Sequence, residues 1–79
     1  SRGVMGQFDG FTSREVRRVV ETFGWELARS RGSHFIFIHP EHPRSVAIPA
    51  HDEMGGGLLI SILRQMDIPR DEVLRRAKK

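Results

Sequence analysis

Six residues decide the fold of this chain: the stretch HFIFIH at positions 34–39. β-Branched and aromatic side chains occupy both of its faces, which is typical of a strand that is covered on one side and partly covered on the other. Residues 31–33, Arg-Gly-Ser, form a tight turn before it, and Pro40 ends it. The stretch therefore predicts the central strand of a sheet, preceded by a hairpin.

The segments on either side predict its two partner strands. Apolar and polar residues alternate over residues 25–30, which is the period of a strand leading into the hairpin. Residues 45–48, Ser-Val-Ala-Ile, form a shorter run between Pro43 and Pro49, and this position suits the edge of a sheet. Together the three runs predict an antiparallel meander.

Helices are predicted on both sides of the meander. Thr12 and Glu15 have the spacing of a capping box at the start of a helix over about residues 13–23. Apolar residues repeat at helical spacing over about residues 57–66, and a short helix follows Pro69. We therefore predict an α+β fold in the order helix, three-stranded antiparallel meander, helix, short C-terminal helix, with both main helices on one face of the sheet.

Length and composition limit the class of protein. A chain of 79 residues is one small domain; we assign it to residues 11–79 and predict that the Gly-rich residues 1–10 are a flexible N-terminal segment. The sequence has no cysteine, which excludes disulfides and thiolate metal sites. No apolar run approaches the ~18 residues of a membrane span, so we expect no membrane contact and a cytoplasmic location.

Charge favours a nucleic-acid partner. The formal net charge is +3, and arginine supplies 11 of the 13 basic residues. Arginine donates bidentate hydrogen bonds to phosphate, although a small basic domain can also be only a solvated surface.

Histidine is the candidate for chemistry, because an imidazole exchanges protons near neutral pH. His34 follows the predicted hairpin turn, where the sheet would hold it and solvent would reach it. His39 and His42, with His51 as a third ligand, are an alternative metal set, but the proline between the first two favours a loop and we predict no metal site. Residues 55–57, Gly-Gly-Gly, leave phosphate binding at the second helix as another alternative.

Three segments, taken in order, resemble the HicA family of toxins from bacterial and archaeal toxin-antitoxin modules. They are RGSHFIFIHP at 31–40, VAIPAH at 46–51 and GLLISILRQ at 57–65. The resemblance covers residues 11–76. Many family members have a second histidine where this chain has Phe35, and threonine where it has Leu58.

The resemblance implies a fold like that of double-stranded-RNA-binding domains and the activity of a metal-independent mRNA endoribonuclease. It also implies a HicB-like antitoxin that neutralises the toxin. The catalytic histidine of the Gly-Ser-His motif is His34 here. A single histidine suits this reaction, because RNA supplies its own nucleophile in the 2′-OH and no cofactor is required.

The remaining candidate residues would bind RNA. We assign phosphate contacts to Arg29 and Arg31, and an orienting role to Ser33. Further phosphate contacts are assigned to three arginines of the first helix, Arg14, Arg17 and Arg18. Trp25, Phe35 and Phe37 have the spacing of core residues, with base stacking as the alternative.

Two other classes of function stay open at this point. The first is a non-catalytic module of the same fold that binds structured RNA by shape. The second is a structural role as the partner-covered half of a complex.

Overall fold

The computed structural model describes residues 7–77. Its elements are α1 (Ser13–Glu21), β1 (Glu26–Arg31), β2 (His34–His39), β3 (His42–Pro49), α2 (Gly56–Gln65) and α3 (Arg70–Ala77). This order confirms the predicted α+β fold with a three-stranded antiparallel sheet. Among the described residues, no helix is long and apolar enough to cross a membrane.

Helix α1 begins at the capping box that the sequence predicts. The hydroxyl of Thr12 accepts a hydrogen bond from the backbone N–H of Glu15 at 3.1 Å, and the Glu15 carboxylate accepts one from the N–H of Thr12 at 2.9 Å. The helix ends at Glu21, two residues before the predicted end, and Gly24 follows with a φ of +94°. Glycine is required there, because a Cβ atom would lie 2.8 Å from Nε2 of His39.

The sheet has the order β1-β2-β3, so that β2 is the central strand as predicted. Phe37 of β2 and Ile48 of β3 are fully buried on the face that the helices cover. Ile38 of β2 lies on the other face and is 45% exposed. Strand β1 has no buried residue and bulges at Ala28, where its register with β2 shifts. One face of the sheet is therefore open.

Strand β3 begins three residues earlier than predicted. Pro43 lies inside it and does not separate it from β2. A proline is compatible with this position because β3 is an edge strand, in which one side of the backbone needs no partner within the sheet.

The core lies between the sheet and the helices, and its largest fully buried side chain is that of Trp25. Phe8 is also fully buried, so the prediction that residues 1–10 lie outside the fold is wrong for residues 7–10. The N–H of Gly10 donates to the carbonyl of Met54 at 3.3 Å, next to the bridge between Phe11 and Met54. This long-range pairing has no local pattern in the sequence. The other part of that prediction, residues 1–6, lies outside the described residues.

Candidate active site

His34 is the first residue of the central strand and is exposed. Arg31 lies directly opposite it on β1, and Pro49 lies directly opposite it on β3. Opposed residues of an antiparallel pair have Cβ atoms about 5 Å apart on one face of the sheet. The imidazole therefore projects from a backbone that is hydrogen-bonded on both sides, next to a guanidinium group.

Arg29 lies on the same face as Arg31 and His34. It pairs with Ile36, and residues two positions apart along a strand share a face. Gly32, with a φ of +59°, and Ser33 form the two-residue turn between Arg31 and His34. The structure thus brings together four of the predicted residues: His34, Arg29, Arg31 and Ser33.

The three predicted arginines of α1 form a separate group on the helix side of the sheet. Arg14, Arg17 and Arg18, with Glu21, line a groove of about 420 Å³. The guanidinium of Arg17 lies over the ring of Phe35, 4.1 Å from its centre, and its buried Nε has no hydrogen-bond partner within residues 7–77. Because Phe35 follows His34 and points to the opposite face, the two arginine groups flank β2 from its two sides.

The aromatic residues contribute to packing. Trp25 is 2% exposed and Phe37 is fully buried, which removes both of them as surfaces for base stacking. Phe35 is half-buried under Arg17. The core interpretation is therefore correct for Trp25 and Phe37, and Phe35 packs against the core while partly exposed.

His39 and His42 lie at the other end of the sheet and stack against Trp25. The ring centres are 5.1 Å apart for Trp25 and His39 and 4.9 Å apart for Trp25 and His42. Nδ1 of His39 accepts a hydrogen bond from the N–H of Glu41 at 3.0 Å, so Nε2 carries the proton and donates to the carbonyl of Phe23 at 3.1 Å.

These contacts do not form the alternative metal set. His51 follows the opposite end of β3 from His42, which separates the three histidines. Within residues 7–77, no group of three or more potential ligand side chains is arranged to hold a metal ion.

The first N–H group of α2 is already bonded to an acidic side chain. The carboxylate of Asp9 accepts a hydrogen bond from the N–H of Gly56 at 2.6 Å. A negative charge is therefore already placed at this helix terminus, where a phosphate would meet repulsion. This carboxylate counts against the phosphate alternative based on residues 55–57.

The sequence does not indicate how close His51 lies to this site. The N–H of Ala50 donates to the carbonyl of Ser33 at 2.7 Å, which joins the loop after β3 to the hairpin turn. This contact links residues that are 17 positions apart, and the local sequence around neither residue indicates it. Such a pairing follows from the strand register alone.

Comparison with known proteins identifies the family. The family model described as HicA toxin of bacterial toxin-antitoxin matches residues 13–68, a range that contains α1, the whole sheet and α2. None of the curated proteins matches the chain. Since the matched range covers most of the chain and includes His34 with its neighbouring arginines, the protein belongs to the HicA family of toxins from toxin-antitoxin systems.

Proposed function

We propose that this toxin is a metal-independent endoribonuclease that cleaves mRNA with His34 as a proton-transfer group. The observation that carries the proposal is the position of His34: exposed, at the start of the central strand, with Arg31 directly opposite. In RNA the 2′-OH attacks the neighbouring phosphorus, so the protein has to move protons and stabilise charge on the phosphate. An imidazole beside a guanidinium supplies both.

The basic residues around His34 suit the phosphates of a single strand. Arg29 and Arg31 project from the open face, where no helix restricts access. Ser33 lies in the turn next to His34, where its exposed hydroxyl can orient the substrate. The arginines of α1 would contact phosphates further along the strand as it passes around the end of the β1–β2 hairpin.

The partner would be a HicB-like antitoxin that covers the open face. Ile38 is 45% exposed there, on the same face as His34. An acidic or mixed-charge surface would complement Arg29 and Arg31 while burying this apolar side chain. Coverage of this face would block access to His34, and we place the pair in the cytoplasm, where mRNA is found.

The test is cleavage of labelled single-stranded RNA by the purified protein in EDTA, compared with the His34→Ala variant. We expect cleavage by the wild type and a loss of at least about 100-fold in the variant. Equal cleavage by both proteins would remove His34 from the mechanism. Binding without cleavage by either protein would favour a non-catalytic RNA-binding module, which would use the same basic surfaces.

A further inference from the structure

Two of the four histidines are exposed, His34 and His51, and they lie at the same end of the sheet. Pro49 is the strand partner of His34, and paired Cα atoms are roughly 5 Å apart. His51 is two residues beyond Pro49, which adds at most about 7 Å. The two backbones are therefore close enough for both imidazoles to reach one phosphodiester group.

The backbone of His51 is held firmly by α1. Its N–H donates to the hydroxyl of Ser13 at 2.6 Å, and its carbonyl accepts from the N–H of Ser13 at 3.0 Å. Ser13 is 5% exposed, and its hydroxyl donates in turn to the carbonyl of Pro49. Helix α1 thus anchors Pro49 and His51, the residues on either side of Ala50.

The imidazole of His51 takes no part in this anchoring. It is exposed, and it makes no hydrogen bond or ion pair within residues 7–77. Every contact that fixes the residue comes from its main chain. The fixed backbone limits the region that the imidazole can reach, and both of its ring nitrogens are available to a substrate.

Cleavage of RNA through the 2′-OH needs two proton transfers. One group takes the proton from the 2′-OH as its oxygen forms a bond to phosphorus. A second group gives a proton to the 5′-oxygen as the bond between phosphorus and that oxygen breaks. The products are a 2′,3′-cyclic phosphate and a 5′-OH, and exchange with water returns both groups to their starting protonation states.

We propose that His51 is the second proton-transfer group and that it forms an acid–base pair with His34. This inference rests on the proposed endoribonuclease function. His39 and His42 cannot take the role, because both are stacked against Trp25 at the far end of the sheet. Among the residues described, His51 is the one other histidine at the end where His34 lies.

The experiment compares His51→Ala and His51→Gln with the wild type, with Asp52→Asn as the control for a change in the same exposed loop. The first substrate is an oligoribonucleotide containing the cleavage site mapped with the wild type. The second is the same strand with sulfur in place of the bridging 5′-oxygen at that site. A sulfur leaving group departs without protonation, so it compensates for a missing acid and not for a missing base.

We expect cleavage of the normal strand to fall at least about 100-fold in both His51 variants and to be unchanged in the Asp52 variant. Affinity for a strand with 2′-deoxyribose at the cleaved position should be unchanged. The sulfur substrate should restore one of the two variants His34→Ala and His51→Ala, and the restored variant identifies the acid. The His51→Gln variant carries the test if His51→Ala does not fold.

Three outcomes would overturn the inference. Wild-type cleavage by a folded His51→Gln variant would show that His51 transfers no proton, while leaving the function proposed for His34 intact. Restoration of both variants, or of neither, by the sulfur substrate would exclude a divided acid–base pair. A wild type that does not cleave RNA would remove this inference together with the proposed function.

Discussion

The two ends of the sheet use histidine in opposite ways. At one end, His39 and His42 pack edge to face, 4.8 Å apart between ring centres, against the buried Trp25. At the other end, His34 and His51 are exposed and their rings contribute nothing to the core. The difference shows that the surroundings, and not the residue type, decide whether an imidazole serves packing or is free for chemistry.

The largest effect is expected when one histidine from each end of the sheet is replaced by alanine and the two variants are compared. His34→Ala should lower RNA cleavage at least about 100-fold and change the free energy of unfolding by less than about 1 kcal/mol. His42→Ala should do the reverse: full cleavage, with a loss of about 1–2 kcal/mol of stability from the ring contacts with Trp25 and His39. Cleavage assays and urea denaturation measure both quantities. Similar effects of the two variants on cleavage would contradict the comparison.

A second prediction concerns the packing that surrounds His39. Gly24→Ala should destabilise the fold by about 2–4 kcal/mol, because it adds strain at a left-handed φ and pushes the imidazole away from the carbonyl of Phe23. Gly32→Ala is the matched control for thermal or urea unfolding. Its φ is also positive, at +59°, and no non-neighbouring atom lies within 4 Å of the added Cβ, so this variant should show the loss from a positive φ without the contact with His39. Equal losses of unfolding free energy in the two variants would mean that the contact with His39 does not contribute to the destabilisation by Gly24→Ala.

The open face should be sensitive to substitutions that leave the fold intact. Ile38→Glu places a charge on an exposed side chain of this face and should weaken binding of the antitoxin about tenfold or more. The control is Leu58→Glu, which makes the same kind of change at a residue of α2 that is 38% exposed. Isothermal calorimetry on the purified pair measures both affinities. An unchanged affinity for Ile38→Glu would place the antitoxin elsewhere.

The smallest expected effect concerns salt. Arg31→Ala should reduce the slope of log affinity against log salt concentration by about 0.7, the value for one phosphate contact with a single strand. Arg70→Ala removes the same charge from the start of α3, a helix to which no phosphate contact is assigned, and should leave the slope unchanged. Fluorescence anisotropy with labelled RNA at several salt concentrations gives both slopes. If the two variants give the same slope, Arg31 contributes only general charge.

The sequence predicts the parts of the fold that depend on short-range patterns. The capping box of Thr12 and Glu15 spans four residues, and its two hydrogen bonds are both present. The run of β-branched and aromatic residues at 34–39 places β2 with the bounds that the structure shows. These features depend mainly on residues that are close together in the sequence.

The features that the sequence does not reveal are contacts between distant segments. The carboxylate of Asp9 caps α2 across 47 positions, and the hydroxyl of Ser13 reaches the N–H of His51 across 38. The burial of Phe8 is of the same kind. Each of these contacts depends on how the helices and strands pack together. The local sequence around Asp9, Ser13 or Phe8 does not indicate which distant residue it will contact.

Strand β1 is an edge strand that pairs only with β2 within the described sheet. All six of its residues are exposed, so backbone hydrogen bonds to β2 contribute most of what holds it in place. Local opening of such a strand exposes almost no additional apolar surface, so its opening free energy should be well below that of global unfolding. Its amide protons should exchange with deuterated water earlier than those of β2, even in a fully folded population. The strand that carries Arg29 and Arg31 is thus the segment whose exchange rates should slow most when RNA or a protein partner is bound.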